Sequence, residues 1–152
     1  MSRRRIVIGC IAAPIVLFIL IQLIPVWLLQ TNPPVVAEPP WNSPQTRALA
    51  QRACFDCHSN ATNWPWFTRI APGSWLVTLD VIRGRDHLNF STYRPGQSIG
   101  EGEGGARGAT RMARMIESGE MPPGNYLLLH PEAQLTAAEK QVLIQGLQAM
   151  LK

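Results

Sequence analysis

Two cysteines and a histidine form the one cluster in this sequence whose residue types and spacing both have a specific chemical use. They lie in the run Cys54-Phe55-Asp56-Cys57-His58. Thiols separated by two residues can add to the two vinyl groups of one haem, and a histidine directly after the second thiol can then bind the iron. The run therefore predicts one covalently attached haem (haem c) with His58 as an iron ligand.

A zinc site, a dithiol redox pair and a structural disulfide compete for the same two cysteines. Zinc needs two further Cys or His ligands at short spacing, but Cys10 lies in an apolar run, and His87 and His130 are isolated. A thioredoxin-like pair needs a strand before the motif and a βαβ setting, and neither is readable. Haem attachment is favoured because a predicted helix precedes Cys54 and because the motif is expected outside the cytoplasm.

Iron bound by His58 leaves an opposite axial position for a second ligand, and Met121 is the favoured candidate. Gly119 before it and Pro122-Pro123 after it favour a loop that can present the thioether inward. A His/Met pair is one of the known axial ligand sets of c-type haem.

Four other side chains are candidates for the second axial position. Met112 and Met115 lie three residues apart on a predicted helix, a spacing typical of core residues. His87 and His130 stay open as alternative ligands, although each also fits an ordinary role at a helix end or on the surface.

Tryptophans are concentrated just after the cysteine motif. Trp64, Trp66 and Trp75 are candidates to wall the haem, with indole N–H groups that can reach its propionates. A generic aromatic core is the alternative. Arg69 is a candidate partner for a propionate, but a solvated arginine is the commoner outcome.

An uncharged apolar run of 24 residues, Ile6–Leu29, follows Arg3-Arg4-Arg5. A helix of this length exceeds the ~30 Å hydrocarbon core of a bilayer, so the run predicts one transmembrane helix. The positive-inside rule then places the chain start in the cytoplasm and the rest on the periplasmic side of the cytoplasmic (inner) membrane. A cleaved signal peptide, whose apolar region is typically ~7–15 residues long, and lipid attachment at Cys10 are the alternatives.

By composition the chain divides into a membrane anchor (residues 1–29), a proline-rich linker (30–43) and a haem-binding domain (44–152). The pairs Pro33-Pro34 and Pro39-Pro40 disfavour helix and favour extended polyproline II segments. We expect this linker to be a semi-rigid stalk that holds the domain off the bilayer.

Within the haem-binding domain, helices are predicted at residues 45–53, 74–83, 109–118 and 137–151. Ser43-Pro44 is a plausible start of the first, and the capping box Thr136-x-x-Glu139 opens the last.

The second predicted helix carries Trp75, Leu79 and Ile82 on one side and is expected to end before Gly84. The glycine-rich stretch 100–108 is interpreted as a loop, because its dinucleotide-binding pattern lacks a preceding strand. No segment predicts a strand. The expected fold class is all-α, a cytochrome c-like helical domain around one haem.

Net charge does not indicate a nucleic-acid partner. Of the formal net charge of +4, Arg3, Arg4 and Arg5 supply three positive charges before the apolar run begins. The remaining Lys and Arg residues are scattered rather than clustered on one predicted face.

The residues from about 44 to 151 resemble small bacterial c-type cytochromes known as the haem-binding domain family, and more distantly the mitochondrial-type cytochromes c. The resemblance rests on Cys54–His58, Trp64-Pro65-Trp66, Ile70-Ala71-Pro72 with Ser74-Trp75, Leu88–Ser91, Glu120-Met121-Pro122 and His130–Ala133. It implies a mono-haem, all-helical domain with His/Met ligation, commonly membrane-anchored and facing the periplasm. The stretch 93–107 departs from the family pattern, since glycines replace a more helical, charged segment.

These features together predict an electron carrier rather than an enzyme. His58 and Met121 would hold an iron that passes single electrons to membrane-embedded or periplasmic redox proteins, as part or partner of a respiratory or photosynthetic complex. A haem-based sensor or ligand-binding protein with an open or weakly held sixth position is the alternative. No acid–base pair for peroxidase chemistry is evident.

Overall fold

The described part of the chain is helical. The computed structural model describes residues 2–94 and 106–150, and within them no strand occurs; an isolated bridge pairs Ala37 with Thr92. The α-helices are α1 Arg3–Gln22, α2 Pro44–Ala53, α3 Phe55–His58, α4 Gly73–His87, α5 Ala106–Ser118, α6 Gly124–Leu129 and α7 Ala137–Met150. Short 3₁₀ turns lie at Val26–Leu29, Trp66–Arg69 and Pro131–Ala133. The predicted all-α class is confirmed.

Local capping explains where α2 and α7 begin, and both helices lie where the sequence predicts them. The Ser43 side chain accepts a hydrogen bond from the Thr46 backbone N–H at 3.1 Å. The capping box is formed: Glu139 N–H donates to Thr136 Oγ1 at 3.2 Å, and Thr136 N–H donates to Glu139 Oε2 at 2.8 Å. These side chains pair backbone groups that a helix end leaves unsatisfied.

Helix α4 is longer than predicted, and Leu79 and Ile82 on its predicted apolar side are exposed. It continues through Gly84 to His87, so the expected stop at Gly84 is wrong. Leu79 and Ile82 are 41% and 38% exposed, while the opposite positions are buried. Those buried positions are Ser74, Thr78, Val81 and Gly84. The buried side of α4 therefore carries mainly small residues, whereas Leu79 and Ile82 lie on its exposed side.

The glycine-rich stretch 100–108 is only partly described. Residues 106–108 belong to α5, so the loop prediction is wrong there, and residues 100–105 lie outside the described residues. The same applies to most of the divergent stretch 93–107. Helices α3 and α6, of four and six residues, were not predicted because such short elements carry no periodicity.

Contacts divide the described residues into two compact units. The anchor unit comprises the residues up to Thr31 together with Trp64–Asp80, and the motif unit comprises Asn32–Asn63 together with the residues from Val81 onward. Each is described by itself below.

The core of the motif unit lies where α2 and α5 pack against α7. Trp41, Phe55 and Phe90 form an aromatic cluster with ring centroids 5.2 to 6.1 Å apart. Met112 packs against this core, as predicted from its spacing, and Met115 is half-buried. The buried apolar members are Leu49, Ala50, Ala53, Phe55, Phe90, Ala113, Ile116, Leu135, Leu143, Ile144 and Leu147.

The proline-rich segment does not form the expected stalk over residues 32–43, which pack within the motif unit. Val36 N–H donates to the Ser91 carbonyl at 2.9 Å, and Asn60 Nδ2 donates to the Pro34 carbonyl at 3.0 Å. Trp41 adds its ring to the aromatic cluster. The extended conformation that proline favours leaves backbone groups unpaired, and this segment pairs them with neighbouring segments.

The anchor unit begins with a helix that is long and apolar enough to cross a membrane, Arg3–Leu29 counted with the turn that follows α1. No residue in the apolar window that defines this candidate span is buried by the rest of the protein. Gln22, at the end of α1, and Gln30 both hydrogen-bond to the 64–80 segment. The predicted N-terminal apolar helix is therefore present, with a second chain segment attached at its end.

Candidate haem site

The two cysteines and the histidine lie on one short turn. Helix α2 delivers the chain into Cys54, whose carbonyl accepts hydrogen bonds from the N–H groups of Cys57 at 3.2 Å and His58 at 2.8 Å. Phe55, only 5% exposed, anchors the turn in the core. One helical turn thus presents both thiols and the imidazole from a single rigid element.

The imidazole of His58 is held in one orientation by two backbone carbonyls. Nδ1 lies 2.9 Å from the Gly84 carbonyl and 3.1 Å from the Leu88 carbonyl. Because a carbonyl oxygen only accepts, Nδ1 carries the proton and donates it, which leaves the lone pair of Nε2 for a metal. Burial also lowers the pKa of His58 and favours the neutral ring. This is the tautomer and charge state that an iron ligand needs.

Gly84 allows α4 to cross directly over the motif. A Cβ at this position would clash with the carbonyl oxygen of Cys57 and would lie 3.0 Å from the Cys57 Cβ. The same close crossing brings the Gly84 carbonyl within reach of His58. The glycine in the middle of α4 is therefore a packing requirement and not a helix end.

Cys54 and Cys57 are not bonded to each other in the described part of the chain. Burial, with a smaller contribution from Cys57, raises the pKa of the Cys54 thiol to about 12 and so favours its protonated form. The donor set, two thiols and a neutral histidine on one turn, fits a covalently bound haem.

Asp56, inside the motif, connects the turn to α6. Its Oδ2 accepts a hydrogen bond from the Tyr126 hydroxyl at 2.8 Å, and its Oδ1 accepts one from the Asn63 backbone N–H at 3.0 Å. Burial is the main cause that raises the pKa of Tyr126, so the hydroxyl stays protonated and donates. Tyr126 stacks on His130 with ring centroids 4.0 Å apart.

The chain after His58 is fixed by a polar network around Arg85. The Arg85 side chain donates to the Ser59 carbonyl at 2.8 Å and to Thr62 Oγ1 at 2.8 Å. The Ser91 hydroxyl accepts from the Asn60 N–H at 2.8 Å. Buried polar groups are costly unless paired, so this network holds the segment after the motif in one conformation.

Sequence reasoning did not single out Gly84, Arg85, Asp56 or Tyr126 as contributors to this site. At Gly84 the sequence did offer one signal: a glycine flanked by helix-forming residues can lie inside a helix where another segment packs closely against it. Arg85, Asp56 and Tyr126 act through contacts between residues 23 to 70 positions apart in the chain, which no local pattern encodes.

Met121 lies in the motif unit, in the turn after α5. Gly119 adopts the left-handed conformation (φ 77°) that ends the helix, and the Met121 N–H donates to the Met115 carbonyl at 3.0 Å. The Met121 side chain is half-buried. Its role as second ligand stays a prediction.

The alternative ligands and the tryptophans lie at separate places. His87 is exposed at the end of α4, and His130 packs on Tyr126 at the end of α6. Trp64, Trp66 and Trp75 belong to the anchor unit. Trp66 is 75% exposed, and the Trp75 indole N–H is buried without a hydrogen-bond partner within the described residues. Their predicted role as haem walls is not tested by this geometry.

A helical protein with one apolar N-terminal helix, and with a Cys-x-x-Cys-His turn whose histidine presents a metal-binding nitrogen, has the features of a small haem-binding protein. Residues 16–149 match the model of the family described as Haem-binding domain. The chain belongs to this family, as its sequence resemblance indicated. Comparison with curated proteins and with solved structures finds no match.

Proposed function

We propose that this chain is a membrane-anchored, mono-haem c-type cytochrome that carries single electrons outside the cytoplasm. The observation that carries the proposal is the His58 geometry: both motif thiols share its turn, and two carbonyls fix its Nδ1 so that Nε2 is the metal-binding atom. We propose electron transfer rather than catalysis as its task.

The chain's own residues supply attachment, orientation and ligation. Cys54 and Cys57 would hold the haem through two thioethers, each made by adding one S–H across one vinyl group of the haem. Carbonyl acceptors at Gly84 and Leu88 make the His58 imidazole a better electron donor through Nε2. A bound haem supplies an iron that exchanges one electron between its two common oxidation states. Met121, if it were the second ligand, would raise the reduction potential.

Location outside the cytoplasm follows from the arginines that precede the apolar helix. Arg3-Arg4-Arg5 favour a cytoplasmic N-terminus, so the motif would face the periplasm. A haem domain fixed to the membrane suits a subunit or partner of a respiratory or photosynthetic complex, with electrons received from and passed to membrane-embedded or periplasmic redox proteins.

Replacing the second ligand tests electron transfer against ligand sensing. Met121→Ala is expected to abolish the weak near-infrared methionine-to-iron band and to lower the reduction potential markedly. Met115→Ala, which removes a half-buried methionine of α5, is the matched control and should keep both. An unchanged band and potential in Met121→Ala would refute the assignment of Met121 as the second ligand. A wild-type protein that lacks the band and binds carbon monoxide in its ferrous state would contradict the carrier proposal and support a sensor.

A further inference from the structure

The end of the apolar helix is fastened to a second chain segment within the anchor unit. Gln22, the last residue of α1, donates from Nε2 to the Ala71 carbonyl at 3.1 Å, and Ala71 N–H donates to Gln22 Oε1 at 2.9 Å. The uncharged part of α1, residues 6–22, has 17 residues, about 26 Å at 1.5 Å per residue, which is close to the ~30 Å hydrocarbon thickness of a bilayer. If α1 spans the bilayer, Ala71 lies at the depth where the hydrocarbon core ends.

The hydrogen bonding at this junction suits a position of low polarity. The Gln22 amide is fully used, since Nε2 also donates to the Phe18 carbonyl at 3.0 Å. Both backbone groups of Ala71, which lies outside any helix, are paired by the same side chain. Irregular backbone is tolerated at membrane depth only when its polar groups are satisfied by protein.

A second glutamine fixes the same segment further along. Gln30 donates from Nε2 to the Thr68 carbonyl at 2.6 Å and to Thr78 Oγ1 at 3.1 Å. The 3₁₀ turn Trp66–Arg69 and the first turns of α4 are therefore attached to the anchor at two levels. They cannot move away from the end of the helix without breaking these bonds.

The attached segment exposes large apolar side chains near this depth. Trp66 is 75% exposed, Ile70 is 41% exposed and Leu76 is 65% exposed; we call these three residues the interfacial patch. Tryptophan is enriched at the level of lipid headgroups, and large exposed apolar side chains suit that environment.

A cleft in the same unit, formed by the end of the apolar segment and the attached segment, carries side chains that interact with lipid headgroups. It has a volume of about 340 Å³, and its lining includes Trp27, Trp64 and Arg69. An exposed guanidinium near the membrane surface attracts lipid phosphates. Two indoles and one cation at the end of a span repeat the arrangement that anchors transmembrane helices at their ends.

We propose that the interfacial patch lies in the headgroup region of the phospholipid bilayer and forms a second membrane contact besides the transmembrane helix. Its occupant is lipid: the Gln22–Ala71 bonds hold the residue next to Ile70 at the depth of the span's end, and both the patch and the span leave their apolar side chains exposed. The inference rests on the membrane span of the proposed function and is independent of haem attachment.

Lipid photocrosslinking of the full-length holoprotein tests this proposal. The photoreactive residue p-benzoylphenylalanine replaces Trp66, Ile70 or Leu76, one at a time, in vesicles of phosphatidylethanolamine and phosphatidylglycerol. Phe18 in the span is the positive control position, and exposed Gln145 on α7 is the negative one. After illumination, mass spectrometry measures the yield of lipid adducts. All the replaced side chains are exposed, so the fold is expected to survive, and circular dichroism checks it.

Lipid adducts at the three patch positions are expected at yields similar to position 18 and at least ten-fold above position 145. The proposal would be overturned if the patch positions gave lipid adducts at yields as low as position 145. It would also be overturned if they formed adducts with a second copy of the chain or with another protein. Failure at position 18 itself would instead refute the transmembrane span, so the two failures are distinguishable.

Discussion

The anchor unit and the motif unit use the same apolar residue types in opposite ways. In the motif unit, Phe90 and Leu143 are 1% and 0% exposed and pack against other side chains. In the anchor unit, Trp66 and Leu76 are mostly exposed, and the apolar window of the span has no buried share. The first unit buries its apolar side chains by folding, whereas the second leaves them exposed, as the proposed lipid contact requires. Composition alone does not distinguish the two cases.

Truncating an aromatic residue in each unit tests this difference and gives the largest expected effect. Phe90→Ala should lower the free energy of unfolding by about 3–5 kcal/mol, because it leaves a cavity between Trp41 and Phe55. Trp66→Ala, its counterpart in the anchor unit, should change stability in detergent by less than about 0.5 kcal/mol. Denaturant titrations followed by circular dichroism measure both. Equal losses would show that the two regions are packed alike.

Gly84→Ala should disturb the motif unit next most strongly. The added methyl group meets the Cys57 carbonyl, and overpacking of this kind costs about 1–3 kcal/mol. The displaced helix would also weaken the bonds to His58, so the fraction of protein carrying haem should fall. Gly124→Ala is the control, since nothing lies within 4 Å of its Cβ position. Equal haem content in the two variants would refute the close packing of α4 on the Cys57 backbone.

Tyr126→Phe tests the connection between the motif and α6. Loss of the hydroxyl removes one hydrogen bond to Asp56 and should cost about 1 kcal/mol. A chemical denaturation curve measures the loss. Tyr93→Phe serves as the control, and a variant pair that unfolds at the same denaturant concentration would show that the Asp56 bond contributes nothing.

Acid should produce the smallest effect, through the cap of α7. The pKa of Glu139 is lowered to about 2, first by the Thr136 N–H and then by Arg52. Because the folded pKa lies below the unfolded one, the carboxylate stabilises the fold above about pH 4.5, and that contribution is lost as the pH falls toward 2. Glu139→Gln should flatten this part of the stability–pH curve. An unchanged curve would exclude the contribution.

Local sequence patterns predicted much of the fold. The caps Ser43 and Thr136 mark the starts of α2 and α7, and the all-α class is confirmed. The motif turn was identified from the side chains it carries. Each of these features depends on residues close together in the chain.

The remaining features depend on contacts that sequence spacing does not contain. Gly84 was interpreted as a helix end because its contact with Cys57 is formed only in the folded chain. Periodicity placed Leu79 and Ile82 on one side of α4 but could not show that this side is exposed, because spacing does not identify what a helix face contacts. The packing of residues 32–43 follows from Trp41, whose aromatic partners lie in other segments.

The intact mass of the denatured protein tests the central claim most directly. The wild-type protein is made in a host that attaches haem to proteins outside its cytoplasm. The account predicts that this protein keeps the mass of one haem after denaturation and extraction with acidic solvent. The double variant Cys54→Ala/Cys57→Ala should have lost it. A wild-type protein that releases its haem under these conditions, or a double variant that retains it, would contradict covalent attachment through Cys54 and Cys57.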